Sequence, residues 1–175
     1  MTTLPNFRPL KVTQLPGYPT RNTFDTLDHV LIIFPQNPPD SIFRRLPQGL
    51  QLKGLLQKAR RAKKEFATSR INNPKATGLT LASYKEATAY NRLCWARKLI
   101  STCNLDNPNS LGVLILGFDE TQRATIVTDL LAAAEAAAFD LPTFKSNVKP
   151  KKNLKHIRIL SSKPRVPIDS IRAQA

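Results

Sequence analysis

At 175 residues, 41% of them hydrophobic and 22% charged, the chain is long enough for one globular domain with tails and too short for two cores of usual size. Its 27 Lys and Arg against 12 Asp and Glu give a net charge of +15, which favours nucleic acid first and an acidic protein second as partner. No apolar run reaches the roughly 18 residues of a membrane span and the N-terminal segment has no signal-peptide core, so we expect a cytoplasmic protein with no membrane partner.

The first forty residues predict an arm, a strand and a loop. Prolines recur through residues 1–27, which predicts an arm that is irregular or carries a strand. The run HVLIIFP, His29–Pro35, is short, continuously apolar and rich in β-branched residues, as is typical of a buried strand. The residues that follow it, QNPPD, predict a loop.

A helical pattern runs from Ser41 to Phe66 and is interrupted near Pro47. In its second part the apolar residues share one arc, about a third of the helix circumference wide: Leu52, Leu55, Leu56, Ala59, Ala62 and Phe66. Five cations fall outside that arc and predict an amphipathic helix with a cationic outer face: Lys53, Lys58, Arg60, Arg61 and Lys64.

The middle of the chain predicts a short β segment and a second helix. ATSRINNPKATGLTLAS is typical of one or two short strands around an Asn-Asn-Pro turn. Ser83 and Glu86 have the spacing of a capping box, which predicts that a helix opens there and continues through Cys103.

The last part predicts strand, helix and strand. LGVLILGF, Leu111–Phe118, is the clearest strand pattern of the sequence. Asp119, with Gln122 three residues later, predicts the N-cap of a third helix, which runs to about residue 139. HIRIL, His156–Leu160, predicts a strand at or near a sheet edge. Strands that alternate with long helices predict an α/β layered fold.

The positive charge is unevenly distributed along the chain. Residues 41–70 and 141–175 each carry a net charge of +8, whereas residues 101–140 carry −5. Two interpretations stay open: a solvated helix face and loop, or a patch that contacts the phosphates of a duplex without base stacking. For the second interpretation the candidate nucleic-acid-binding residues are Lys53, Arg60, Arg61, Lys64, Lys149, Lys151, Lys152 and Lys155.

Residues with catalytic or metal-binding spacing are missing. His29 and His156 lack the neighbours of a general base, and Cys94 and Cys103 match neither a redox pair nor a zinc knuckle. The glycines are scattered and form no phosphate loop. We therefore expect reduced cysteines, no catalytic or metal-ligating residue, and no activity of the chain alone.

Several ordered stretches resemble one family. They are HVLIIFP, LPQGLQLKGLL, YNRLCWARKLI, SLGVLILGF and LLAAAEAAAFDLPTFKS followed by LKHIRIL, spread over residues 28–161. In this order and spacing the sequence resembles the N-terminal, non-catalytic domain of the leucyl aminopeptidases, also called cytosol aminopeptidases. The resemblance implies a macro-domain-like α/β fold in which helices flank a mixed sheet.

In that family a larger domain follows, which carries two divalent metal ions and forms hexamers. Its Asn-Thr-Asp-Ala-Glu-Gly-Arg signature has no counterpart here, so the resemblance implies no cofactor and no catalytic residue in this chain. Some bacterial members also bind DNA. The implied partners are an aminopeptidase catalytic domain or further copies of the chain, with duplex DNA as the alternative.

The sequence predicts a division into an arm (1–27), a leucyl aminopeptidase N-terminal-like domain (28–161) and a linker or tail (162–175). One hypothesis is a domain that acts in assembly or regulation of a metallo-aminopeptidase, or a truncated member of that family. The alternative is a basic module that contacts the phosphate backbone of a duplex. A third reading, a gene remnant that folds without a role, stays open.

Overall fold

A computed structural model of the chain describes residues 10–138, 154–161 and 167–168. The predictions for Lys149, Lys151 and Lys152 lie outside the described residues. The helices and strands are β1 (Lys11–Pro16), α1 (Arg21–Asp25), β2 (His29–Pro35), α2 (Asp40–Arg44), α3 (Gly49–Arg61), β3 (Phe66–Arg70), β4 (Gly78–Tyr84), α4 (Ala89–Cys103), β5 (Ser110–Ile115), α5 (Glu120–Ala138) and β6 (His156–Ser161). A short 3-10 turn, Asn104–Asp106, follows α4.

The strands form one mixed sheet in the order β1-β6-β5-β2-β4-β3. Neighbouring strands are parallel except β3 and β4, which form an antiparallel hairpin. Parallel neighbours need crossover connections, and the helices between the strands supply them. The predicted α/β fold, a mixed sheet flanked by helices, is confirmed, and so is the strand pair around the Asn-Asn-Pro turn.

The sheet is covered on both faces, and β2 lies between β4 and β5 with every residue from His29 to Phe34 buried. Leu31 and Ile33 pack in the core beneath α4 and α5. Ile32 and Phe34 pack on the opposite face beneath α1, α2 and α3. A strand that is buried on both faces carries no polar alternation, which explains why HVLIIFP is continuously apolar.

The amino ends of β2 and β5 are tied together by Asp28. Its Oδ2 accepts hydrogen bonds from the backbone N–H groups of Asn109 and Ser110 and from the Ser110 hydroxyl, each at 3.0 Å. Its Oδ1 lies 2.6 Å from Lys75 Nζ. Burial by itself would raise the pKa of Asp28, but the bonds from Lys75 and Ser110 outweigh it and lower that pKa. The charged carboxylate therefore stabilises the register of two central strands.

An ion pair between Arg92 and Asp129 connects helices α4 and α5. Arg92 Nε donates to Asp129 Oδ2 at 2.9 Å, and only 8% of Asp129 is exposed. The pKa of Arg92 is raised, chiefly by this hydrogen bond. Because a buried carboxylate without its partner is costly, we take this pair as a constraint on how the two helices pack.

The predicted start of the second helix is wrong, and that of the third is confirmed. Ser83 lies within β4, where it pairs with Phe34 of β2, so it cannot cap a helix. Helix α4 instead starts at Ala89, after the N-cap Thr88. Asp119 Oδ1 accepts from the backbone N–H of Gln122 at 2.8 Å, which caps α5 as predicted.

The predicted position of the His156 strand, at or near a sheet edge, is confirmed, because β6 lies next to the edge strand β1. β6 is paired on both sides, with β5 and with β1. The edge is occupied by β1, which comes from the predicted arm, and Phe24 and Leu27 of the same arm are buried in the core. The division into arm, domain and linker itself stays a prediction.

His29 is a core residue, with 5% of its surface exposed. Its Nε2 lies 2.8 Å from the Thr80 hydroxyl oxygen, and its Nδ1 has no hydrogen-bond partner among the described residues. Burial lowers the pKa of His29 from 6.5 to about 4, more than the nearby Asp106 charge raises it. The imidazole is thus neutral in the folded protein near neutral pH.

Because of His29, we expect the free energy of unfolding to decrease as the pH is lowered. The unfolded chain takes up the imidazole proton near pH 6.5, whereas the folded chain resists it down to about pH 4. The contribution of the neutral His29 imidazole to the free energy of unfolding is therefore complete above pH 6.5. It is lost as the pH falls to 4, and the loss amounts to about 3 kcal/mol. Urea denaturation between pH 4.5 and 7 measures the loss, and His29→Phe should flatten the profile in that range. An unchanged slope in His29→Phe would contradict this assignment.

Candidate functional site

The carboxyl edge of the sheet has the geometry of a ligand site. The connection that leaves β2 passes over one face through α2 and α3, whereas those that leave β4 and β5 pass over the other face through α4 and α5. Where neighbouring parallel strands send their connections to opposite faces, a crevice opens outside their carboxyl ends. In α/β proteins this is where ligands bind.

Arg60 joins three elements at this edge. It lies in the last turn of α3, and its Nη2 donates to the backbone carbonyl of Gln36, just after β2, and to the Ser83 hydroxyl on β4 at 3.2 Å. The guanidinium is therefore held against the ends of two strands, although the residue is exposed.

A cleft of about 350 Å³ lies around this guanidinium. Its walls come from α3, the loop after β2, the start of β3 and the end of β4: Gln36, Asn37, Leu56, Ala59, Arg60, Lys64, Glu65, Ala67 and Ser83. Two cations, one carboxylate, two carboxamides and one hydroxyl are among them. The Glu65 carboxylate lies 3.4 Å from Lys98 Nζ, so a further cation stands beside the one carboxylate of the cleft.

The end of α3 places Lys64 at the cleft. Lys63 adopts a left-handed conformation with φ of 52°, and the backbone N–H of Lys64 donates to the carbonyl of Ala59 at 2.9 Å. The N–H of Lys63 donates to the carbonyl of Arg60 at 3.0 Å. These two bonds make a Schellman motif, which satisfies carbonyls that a helix end otherwise leaves open. The motif ends the helix at Arg61, so Phe66 lies on β3 and not on the predicted helical arc.

The cations in the last turn of α3, Lys58, Arg60 and Arg61, also have a structural explanation. The carboxyl end of a helix carries a partial negative charge, and nearby cations stabilise it by a few tenths of a kcal/mol to about 1 kcal/mol each. The interpretation of the charge run as a solvated helix face thus accounts for part of it, but it does not account for the anchoring of Arg60 across the sheet edge.

The predicted nucleic-acid-binding residues of α3 have different environments. Lys53 lies 2.7 Å from Asp40 and is directed to a separate hollow between α2 and α3. Arg60 and Lys64 line the cleft at the carboxyl edge. Arg61 is exposed. Their predicted role in nucleic-acid binding stays a prediction.

Lys155 is remote from these residues. It precedes β6 at the amino edge of the sheet, where its N–H donates to the carbonyl of Asn109 and its own carbonyl accepts from Lys11. A strand of five or six residues separates the two edges, a distance of roughly 17–20 Å. Lys155 and the cleft therefore do not form one continuous patch.

A larger hollow of about 710 Å³ lies between the ends of α4 and α5. The methyl groups of alanines such as Ala133 and Ala137 form much of its wall, and Arg97 is its single charged lining residue in the part of the chain that the structure describes. The hollow lies beside Ala138 and Leu154, between which the chain is not described. It offers no comparable cluster of charged donors.

No three His, Cys, Asp or Glu side chains within residues 10–138, 154–161 and 167–168 come together as a metal site. Cys94 and Cys103 are free thiols, and burial raises the pKa of Cys103 to about 12, as expected of an unreactive core residue.

None of the described helices has the length and apolar character that crossing a membrane requires.

No protein-family model matches this sequence, and no curated protein matches it. Among solved structures, a mutant tomato leucine aminopeptidase is similar, with a TM-score of 0.61 at 13% identity. The similarity covers 97% of this chain and 36% of that chain, so the chain spans about a third of the enzyme's length. At this identity the likeness concerns the fold. The chain is thus an α/β domain of a kind that is also found in a leucine aminopeptidase.

Gln36, Asn37 and Ser83 come from two strand ends and share no motif, so no sequence pattern predicted them as site residues. One signal was present: Gln36 and Asn37 directly follow HVLIIFP, and residues just after a buried parallel strand lie at the edge where ligands bind.

The Schellman motif yields a stability prediction. We expect Lys63→Gly to stabilise the fold relative to Lys63→Ala by about 1 kcal/mol, because glycine adopts the left-handed conformation without the strain that a Cβ brings. Both variants remove the same charge, so their difference isolates the backbone effect. Urea denaturation of the two proteins measures it, and equal midpoints would show that φ at residue 63 is not held positive.

Proposed function

We propose that the chain is a non-catalytic domain of a leucyl aminopeptidase-like protein. In this role it acts in the assembly or regulation of a metallo-aminopeptidase, or as a truncated member of that group, and catalysis and its two divalent metals belong to another polypeptide segment. The main support is the coverage of the structural similarity, which includes 97% of this chain but only 36% of the tomato enzyme.

Two observations are consistent with a partner polypeptide. Among the described strands, β3 is paired on one side only, and an open strand edge can accept a strand from another chain. Large apolar side chains are also exposed on different elements, with Leu50 at 86%, Tyr90 at 75% and Leu105 at 76%. Such residues are common singly on protein surfaces, so they add less support than the open edge.

The assembly proposal predicts a complex and no peptidase activity of the chain alone. The purified chain should not hydrolyse leucine p-nitroanilide in the presence of Mn²⁺ or Zn²⁺. When it is mixed with an aminopeptidase catalytic polypeptide from the same organism, light scattering should show one larger species that persists in 0.5 M NaCl. The high salt controls for attraction by the net charge of +15. Chelator-sensitive hydrolysis by the chain alone, or the absence of a complex, would contradict the proposal.

The second candidate function is contact with a nucleic-acid duplex, and the outer surface around the end of α3 favours it. Lys58, Arg61, Lys63 and Lys64 are all exposed, and none forms an ion pair within the described part of the chain. Cations without protein partners are available to neutralise phosphates.

This candidate predicts a strong dependence of binding on salt. If three or four phosphates are neutralised, log K for a 20-base-pair duplex should fall with a slope of about −3 against log[salt]. The double variant Lys58→Gln, Arg61→Gln should make that slope shallower by about 2. A matched double variant, Lys53→Gln with Lys98→Gln, removes two cations that are already paired and should change it less. A slope near zero in the unmodified protein rules this function out.

A further inference from the structure

We propose that the cleft around Arg60 binds a small ligand that carries a phosphate or diphosphate group. This site does not depend on the assembly role proposed above, nor on duplex binding by the outer face of α3. It is formed by the end of α3 and the carboxyl ends of β2 and β4.

Arg60 is the main anion donor of the cleft. Both of its protein hydrogen bonds leave from Nη2, to the Gln36 carbonyl and to Ser83. They fix the plane of the guanidinium and leave the N–H groups of Nε and Nη1 without an acceptor among the described residues. An arginine fork matches the geometry of phosphate oxygens, and a pre-oriented side chain loses less entropy when a ligand binds.

Further donors line the same cleft. Lys64 is the last residue of the Schellman motif, so its backbone position is set by the bond to Ala59. The carboxamides of Gln36 and Asn37 are exposed at the cleft and make no side-chain hydrogen bond within the described ranges. A phosphate in this position would meet two cations and up to two amide donors.

The charge of the cleft stays positive after its acidic group is included. Glu65 is paired with Lys98, which leaves the charges of Arg60 and Lys64 in excess. The carboxyl end of α3 carries a partial negative charge, which opposes an anion less when its carbonyls are already hydrogen-bonded. Three of these carbonyls accept backbone N–H groups: Lys58, Ala59 and Arg60.

The size of the cleft selects the kind of ligand. About 350 Å³ is at the lower end of the range for small-molecule sites, roughly 300–1,000 Å³. This space admits a diphosphate or a small phosphorylated metabolite, but a duplex would contact only its rim. The crevice between diverging connections is also the usual position of small ligands in α/β sheets.

The test uses inorganic pyrophosphate as the probe, measured by calorimetry and by backbone NMR shifts. We expect shifts centred on residues 36, 37, 60 and 64. Arg60→Gln should weaken binding by about tenfold or more, and Arg60→Lys should recover part of the loss. The control Lys53→Gln removes the same charge from the same helix outside the cleft and should change affinity less than about twofold.

A second variant tests the cleft without changing Arg60. It is needed because Arg60 also connects α3 to the sheet, so Arg60→Gln could lose binding by misfolding. Asn37→Asp introduces a carboxylate into the cleft at an exposed loop residue and should abolish pyrophosphate binding by repulsion. Asn72→Asp makes the same change in the exposed turn between β3 and β4 and should leave binding intact. Full affinity in Asn37→Asp would overturn the proposal.

The remaining outcomes distinguish binding in the cleft from attraction by the net charge of the protein. No pyrophosphate binding at millimolar concentration overturns the proposal. So does an equal loss of affinity in Lys53→Gln and Arg60→Gln, because that result would show attraction by net charge alone. If Arg60→Gln weakens a 20-base-pair duplex as much as it weakens pyrophosphate, the phosphate source is a nucleic-acid backbone and the small-ligand site is wrong.

Discussion

The fold depends on the burial of β2 on both of its faces. Every residue from His29 to Phe34 is buried, so helices must cover both sides of the sheet. The connection from β2 occupies one side, and the connections from β4 and β5 occupy the other. The crevice at the carboxyl edge is a consequence of this arrangement, since two connections that diverge cannot also cover the strand ends between them.

The positive charge of the chain is divided among several tasks. Lys53, Lys75 and Lys98 are each paired with a carboxylate, and Arg92 joins α4 to α5 through Asp129. Arg60 ties α3 to the sheet edge and faces the cleft. A net charge of +15 thus does not correspond to one patch. Lys58, Arg61, Lys63 and Lys64 are exposed, have no ion pair within the described residues and lie at the end of α3, which is why both phosphate-binding proposals concern that region.

Sequence patterns predicted strands and helix starts correctly where residues close together in the sequence determine the structure. HVLIIFP and LGVLILGF are strands because no amphipathic alternative suits such apolar runs, and Asp119 caps α5 through a contact three residues away. The predicted capping box at Ser83 failed because a residue far away in the sequence fixes its position: Ser83 has capping-box spacing but pairs with Phe34 of β2.

The sequence by itself determined the α/β class, the order of most elements and the cationic face of α3, because hydrophobic periodicity and charge are local properties. Only the tertiary structure decided which cations act together. It brought Arg60 into contact with Gln36 and Ser83, which are 24 and 23 residues away in the sequence, and it placed Lys155 at the opposite edge. The physical reason is that strand order and crossover direction are set by the burial of the whole sheet, and no short segment carries that information.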